Sequence, residues 1–152
     1  MLLSACDKYK HDLANLVPQE YHKILYVNNS GKQEMTLYDT GEDYTYTLSV
    51  IKTGSDPTQT ANAQINVLSQ EEVDQLYSNP EAVNYKVLSG ESYSLETSDL
   101  IFASEDHSKS VKVSVNSTKV KALIDANPEA KWVLPLRVTS PVSYTHLTLP
   151  TT

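Results

Sequence analysis

Residues 44–50 place Tyr44, Tyr46, Leu48 and Val50 in alternation with Thr45, Thr47 and Ser49. A period of two puts the four large side chains on one face of an extended strand and the hydroxyls on the other. A helix would scatter them around its axis, so this stretch commits the region to a half-buried sheet. Similar short runs recur along the chain, separated by turn residues. Strands are expected at Lys23–Val27, Gln33–Asp39 (Met35 and Leu37 on one face), Tyr44–Val50, and Ala61–Leu68 with Ala63, Ile65 and Val67 together. Further strands are expected at Tyr85–Leu88, Asp99–Ala103, Val111–Val115 and Trp132–Thr139. Asn28–Gly31, Thr40–Asp43 and Gly54–Pro57 supply the turn chemistry between the early ones. Pro135 lacks an amide donor, which predicts an edge or a bulge within the last strand.

Two segments break the strand pattern. Ser69 followed by Glu72 is a capping box, in which hydroxyl and carboxylate satisfy free amides of a helix's first turn. Val73, Leu76 and Tyr77 then share a face, and Asn79-Pro80 ends the segment because a residue before proline is pushed out of helical geometry. A second helical turn begins at Ser117, with Val120, Leu123 and Ile124 aligned and Asn127-Pro128 closing it. About eight short strands with turn signals every eight to twelve residues or so read as an antiparallel β-sandwich. The two helices are expected to cross between its sheets.

Composition narrows the partners. The net charge is −7, from 12 Lys and Arg against 19 Asp and Glu. That balance argues against nucleic acid or anionic lipid headgroups as the main partner. No stretch approaches the roughly 20 apolar residues that span a bilayer. One cysteine permits no internal disulfide.

Residues that carry chemistry are sparse. His11, His22, His107 and His146 are scattered, without metal-ligand spacing. Glu105-Asp106-His107 could be imagined as an acid–base cluster, but its Ser-rich setting reads as a solvated turn. Glu71 and Glu72 suit a helix N-terminus, where negative charge is favourable. The 4 glycines show no phosphate-loop spacing. Asn116-Ser117-Thr118 matches a glycosylation sequon and reads better as a helix cap. Ten tyrosines against one phenylalanine raise the prospect of a sugar-stacking platform from Tyr38, Tyr44, Tyr46, Tyr85 and Tyr93. Tyr44 and Tyr46 share a face with Leu48 and Val50, so core packing is the expectation for both. No catalytic residue, metal ligand or cofactor is expected, and the ligand-contacting residues stay open.

The two ends carry information of other kinds. Leu2-Leu3-Ser4-Ala5-Cys6 reads as the end of a bacterial lipobox: Leu three residues before the cysteine, then small Ser and Ala, then the chain's single Cys. The alternative is an ordinary N-terminus with a chance cysteine. Only five residues precede Cys6, fewer than the basic and apolar regions of a signal require. The expectation is therefore a truncated signal remnant at 1–5, lipid on Cys6, and a polar tether over 6–20. Membrane attachment would come through that lipid alone, and the location would be the cell envelope, as an outer-membrane lipoprotein. At the other end, Val142–Thr151 resembles the translation of a transposase sequencing adapter, GTC TCT TAT ACA CAT CTG ACG CTG CCG ACG. Residues 141–152 are accordingly expected to be adapter-derived, leaving the β-sandwich domain at 21–140. Tyr144 and His146 then carry no function.

Asn84-Tyr85-Lys86-Val87-Leu88, with Tyr93 after it, is similar to a segment of an N-terminal domain found in Bacteroidetes cell-surface lipoproteins. Trp132-Val133-Leu134-Pro135-Leu136-Arg137-Val138 resembles that domain's closing strand. Ser89 stands where the family has a proline, and Trp132 where it has a tyrosine. The resemblance covers roughly residues 21–140. It implies an immunoglobulin-like sandwich without catalysis of its own, followed in such proteins by glycan-binding or endo-β-N-acetylglucosaminidase domains. The expected function is a module supporting surface glycan binding or degradation by a C-terminal region. Alternatives are a fragment of a glycoside hydrolase, or an adhesin or pilus-type lipoprotein.

Overall fold

The computed structural model describes residues 21–77 and 84–140, and the backbone of a strand at 147–151. The lipobox with Cys6, the 6–20 tether and the Asn79-Pro80 stop lie outside the described residues. The strands are β1 (Ile24–Val27), β2 (Lys32–Glu34), β3 (Asp43–Thr53), β4 (Ala61–Val67), β5 (Tyr85–Val87) and β6 (Tyr93–Leu95). They continue as β7 (Asp99–Phe102), β8 (Ser108–Asn116), β9 (Lys131–Val133), β10 (Leu136–Thr139) and β11 (Leu147–Thr151). Helix α1 (Gln70–Leu76) follows β4, and α2 (Ser117–Ala126) follows β8.

One sheet has the order β1-β3-β8-β6, antiparallel throughout. The other runs β5-β9-β11-β10-β4-β7, with β2 alongside β11. Two of its pairs, β5 with β9 and β2 with β11, are parallel. The sheets close over a common core of Leu25, Val27, Leu48, Val50, Val111 and Val113 from the first and Ala63, Ile65, Leu100, Phe102, Leu136 and Val138 from the second. The architecture is an immunoglobulin-like β-sandwich.

The alternation in burial runs along β3 from Tyr46 to Thr53. Leu48 and Val50 are fully buried opposite Val111 and Lys109 of β8. Tyr46 packs partly buried against the core, as expected. Tyr44 departs from expectation, being 46% exposed. It has the right face, but it stands one pair from the end of the ladder, where Asp43 meets Asn116. A ring at the rim keeps much of its surface in water.

The other end of β3 holds a residue that alternation alone would also turn inward. Lys52 is 2% exposed. Its Nζ donates to the carbonyls of Gln59 (2.9 Å), Ala103 (2.6 Å) and Ser104 (3.2 Å). An ammonium has three protons, so each finds an acceptor and the burial is tolerated. The contact ties the β3–β4 loop to the turn after β7.

Both helices begin as the sequence indicates. The Ser69 hydroxyl accepts from the Glu72 amide at 3.2 Å, and the Glu72 carboxylate accepts from the Ser69 amide at 2.9 Å. The Asn116 side chain accepts from the Lys119 amide at 3.0 Å, so the sequon residue is the cap of α2. Only α2 crosses between sheets, from β8 to β9; α1 joins β4 to β5 within the second sheet. The reason is Gln70. Its amide donates to the Tyr85 carbonyl (2.8 Å) and accepts from the Val87 amide (2.9 Å), imitating a neighbouring strand along the open edge of β5. Residues 132–139, expected as one strand, are split into β9 and β10 at Leu134-Pro135. The Pro135 carbonyl still accepts from Leu68, which is the interruption its missing donor requires. The expected strand at Gln33–Asp39 keeps ladder pairing only over Lys32–Glu34, although Leu37 still packs against the core.

Candidate ligand-binding face

The outward faces of the two sheets differ in chemistry. On the first sheet Thr45, Thr47 and Ser49 of β3 lie opposite Ser114, Lys112 and Ser110 of β8. These are mostly short hydroxyls, and Ser49 and Ser110 hydrogen-bond each other at 3.0 Å. On the second sheet the outward positions hold longer, planar polar groups. Asn62, Gln64 and Asn66 alternate outward on β4, flanked by Asp99 and Ile101 on β7 and by Arg137 and Thr139 on β10.

Register places them in rows. Gln64 lies between Asp99 and Thr139, Asn62 beside Ile101, and Asn66 beside Arg137. The Gln64 amide donates to the Asp99 carboxylate at 3.1 Å, and the Asn66 amide donates to the Thr139 hydroxyl at 3.1 Å. Arg137 donates to Glu72 at 3.2 Å. A groove of about 700 Å³ runs over this face, lined by Asn62, Gln64, Asp99, Ile101, Thr139 and Ser140, with buried Ala63 and Leu100 contributing. Ile101 is 72% exposed, an aliphatic surface set among amides.

The residues singled out from sequence fall elsewhere. In Glu105-Asp106-His107, Asp106 accepts from the Ala103 amide (2.8 Å) and pairs with Lys109 (2.9 Å). Those bonds, Lys109 first, hold its carboxyl below the usual range. Glu105 is also lowered, by amide and Ser104 hydroxyl donors. The cluster is a braced turn. Glu72 is lowered chiefly by the Ser69 amide and further by Arg137, which makes it a cap. No group of three or more potential metal ligands occurs among the described residues. Of the five tyrosines weighed as a platform, Tyr38 (78%) and Tyr44 (46%) are well exposed, and neither lines the amide groove. Tyr85 and Tyr93 are half-buried in strands. The face on β4, β7 and β10 could have been glimpsed from the polar half of the β4 alternation, Asn62-Gln64-Asn66. Its flanking partners depend on strand order, which local pattern does not give.

The fold and this face define a β-sandwich domain with one amide-rich sheet surface. A family model for an N-terminal domain matches residues 18–145, and the chain belongs to that family. None of the curated proteins compared matches it. Among solved structures, a Bacteroides ovatus protein provisionally described as carbohydrate binding superposes with a TM-score of 0.65 at 17% identity, over 84% of this chain and 36% of its own length. A protein of unknown function from the same organism gives 0.61 at 14% identity, over 89% and 46%. A multidomain protein including DUF1735, again from Bacteroides ovatus, gives 0.57 at 19% identity, over 83% and 43%. The chain thus spans less than half the length of these structures. At such identities the likeness concerns the fold. The two stretches that carry the sequence resemblance are neighbours in space, since Tyr85, Lys86 and Val87 pair in parallel with Lys131, Trp132 and Val133.

Proposed function

We propose that the chain is a non-catalytic sandwich module of a lipid-anchored envelope protein, and that it supports the capture or degradation of surface glycans by other domains of that protein. The observation that carries this reading is how the carboxylates of the two acidic motifs are used. Glu72 caps a helix and Asp106 braces a turn, and both are held in the ionised form by their donors. A general acid needs the opposite tuning, with its pKa raised toward the working pH. The fold shared with a protein described as carbohydrate binding, and the family of N-terminal domains, support the glycan setting. Lipid on Cys6 supplies the envelope address.

The direct test is incubation of this chain with N-glycans and with plant and fungal polysaccharides, followed by chromatography of the products. No hydrolysis above buffer is expected. Turnover that scales with protein concentration would overturn the non-catalytic reading.

A further inference from the structure

We infer that the groove on β4, β7 and β10 is itself a binding site for an uncharged pyranose chain; this rests on the glycan reading above and locates the contact within this module. Among the described residues its lining carries a single charged group, Asp99, alongside Asn62, Gln64, Thr139 and Ser140. Among the described lining residues a polyanion would meet a carboxylate with no cation, and a polycation would find one partner. A protein partner would be expected to bury aromatics, Met or Arg at the centre of its interface. The described lining has none of these, and of its aliphatic residues Ala63 and Leu100 are buried while Ile101 is exposed.

A neutral sugar fits on three counts. Vicinal hydroxyls both donate and accept, and so do side-chain amides. Each amide has two donor protons and an acceptor oxygen, and Gln64 spends one proton on Asp99. That bond also orients the amide before any ligand arrives, which lowers the ordering cost of binding. The pyranose ring meanwhile has a C–H face that seeks apolar surface, and exposed Ile101 stands in the next row from the Gln64–Asp99 pair. The volume, about 700 Å³, lies within the roughly 300–1,000 Å³ of small-molecule sites.

The experiment is native affinity electrophoresis of the chain through gels containing α-mannan, xylan or laminarin, with polygalacturonate as the anionic comparison. Retardation by at least one neutral polysaccharide is expected. Ile101→Ala and Gln64→Ala should each weaken it about tenfold, the effect of leaving one polar or apolar partner unmatched. Thr47→Ala, on the outer face of the other sheet, should leave it unchanged. Gln64→Glu keeps the side chain's size on an exposed position and sets a second carboxylate beside Asp99; it should abolish retardation while the circular dichroism stays that of the parent and the melting temperature falls by no more than a few degrees, the small cost of like charges on paired strand positions. Retardation by polygalacturonate alone would overturn the inference, as would no retardation by any neutral polymer. Undiminished retardation of the Ile101 and Gln64 variants would overturn it too, yet leave the glycan-support reading standing. That broader reading fails separately, if the full-length protein neither binds nor degrades glycans.

Discussion

The ammonium of Lys52 sits where carbonyls from two loops converge, so its loss should be felt by both. Lys52→Met retains the stem and deletes the three donors. We expect a loss of about 3 kcal/mol, the cost of leaving buried acceptors unmatched, read as a lowered midpoint in urea with an unchanged slope. Gly54 is a second sensitive point. Its φ is +122°, and a Cβ there would lie 2.3 Å from the His22 carbonyl oxygen. Gly54→Ala should therefore cost about 2–4 kcal/mol through strain and clash together, visible in the same denaturation. The lowered carboxyls predict a pH dependence. Glu72 and Asp106 titrate below their ordinary values in the folded state. Their stabilisation is complete above those ordinary values and drains away as pH falls toward the depressed ones. Melting temperature should decline on acidification below about pH 5, and Glu72→Gln should flatten that decline; an unchanged profile would remove Glu72 from the account. Both groups are partly exposed, so solvent screening keeps the effect small. The alternation in residues 44–50 foretold the burial of Leu48 and Val50. It stopped short of Lys52, because a charged side chain looks like a strand's end until its acceptors, distant in sequence, are known.

At the scale of elements, the caps were the most legible feature. A cap is a local bargain between neighbours three residues apart, and both Ser69–Glu72 and Asn116–Lys119 lie where the sequence puts them. Asn116→Ala should cost about 1 kcal/mol by freeing an amide of α2, measurable as a lower melting temperature. Asn116→Ser should restore most of it, because a hydroxyl can cap α2 without setting a second carboxylate against Asp43. Strand edges were less legible. The break at Pro135 followed from its missing donor, whereas the shortening of β2 after Glu34 and the appearance of β6 at Tyr93–Leu95 depend on which ladder partners lie within reach. The assignment of α1 to one sheet turned on Gln70, whose amide acts as a strand's surrogate for β5. Nothing in a glutamine before two glutamates announces that.

At the scale of the molecule, the sandwich was legible from strand count and turn spacing, and the family from the Asn84–Leu88 and Trp132–Val138 stretches, whose opening residues pair in β5 and β9. The amide groove was not legible, since it is assembled from three strands that meet only through the sheet order β10-β4-β7. Cys6 makes its own prediction: in the full-length gene, Cys6→Ser should move the protein from the membrane fraction to the soluble one, and retention on the membrane would refute lipidation.

The fastening around Gly54 has a mechanical side. The backbone carbonyls of Tyr21 and His22 accept from Ser55 (3.1 Å) and Asp56 (2.8 Å), and the Lys23 ammonium reaches the Thr60 carbonyl (2.8 Å). These ties bind the approach to β1 to the β3–β4 loop, which Lys52 in turn anchors to the turn after β7. A tug arriving along the chain ahead of Tyr21 would meet several bonds in parallel before it could peel β1 from β3 one rung at a time. Force applied at Tyr21 would therefore be shared by these bonds, and β1 would stay paired with β3 until they broke together.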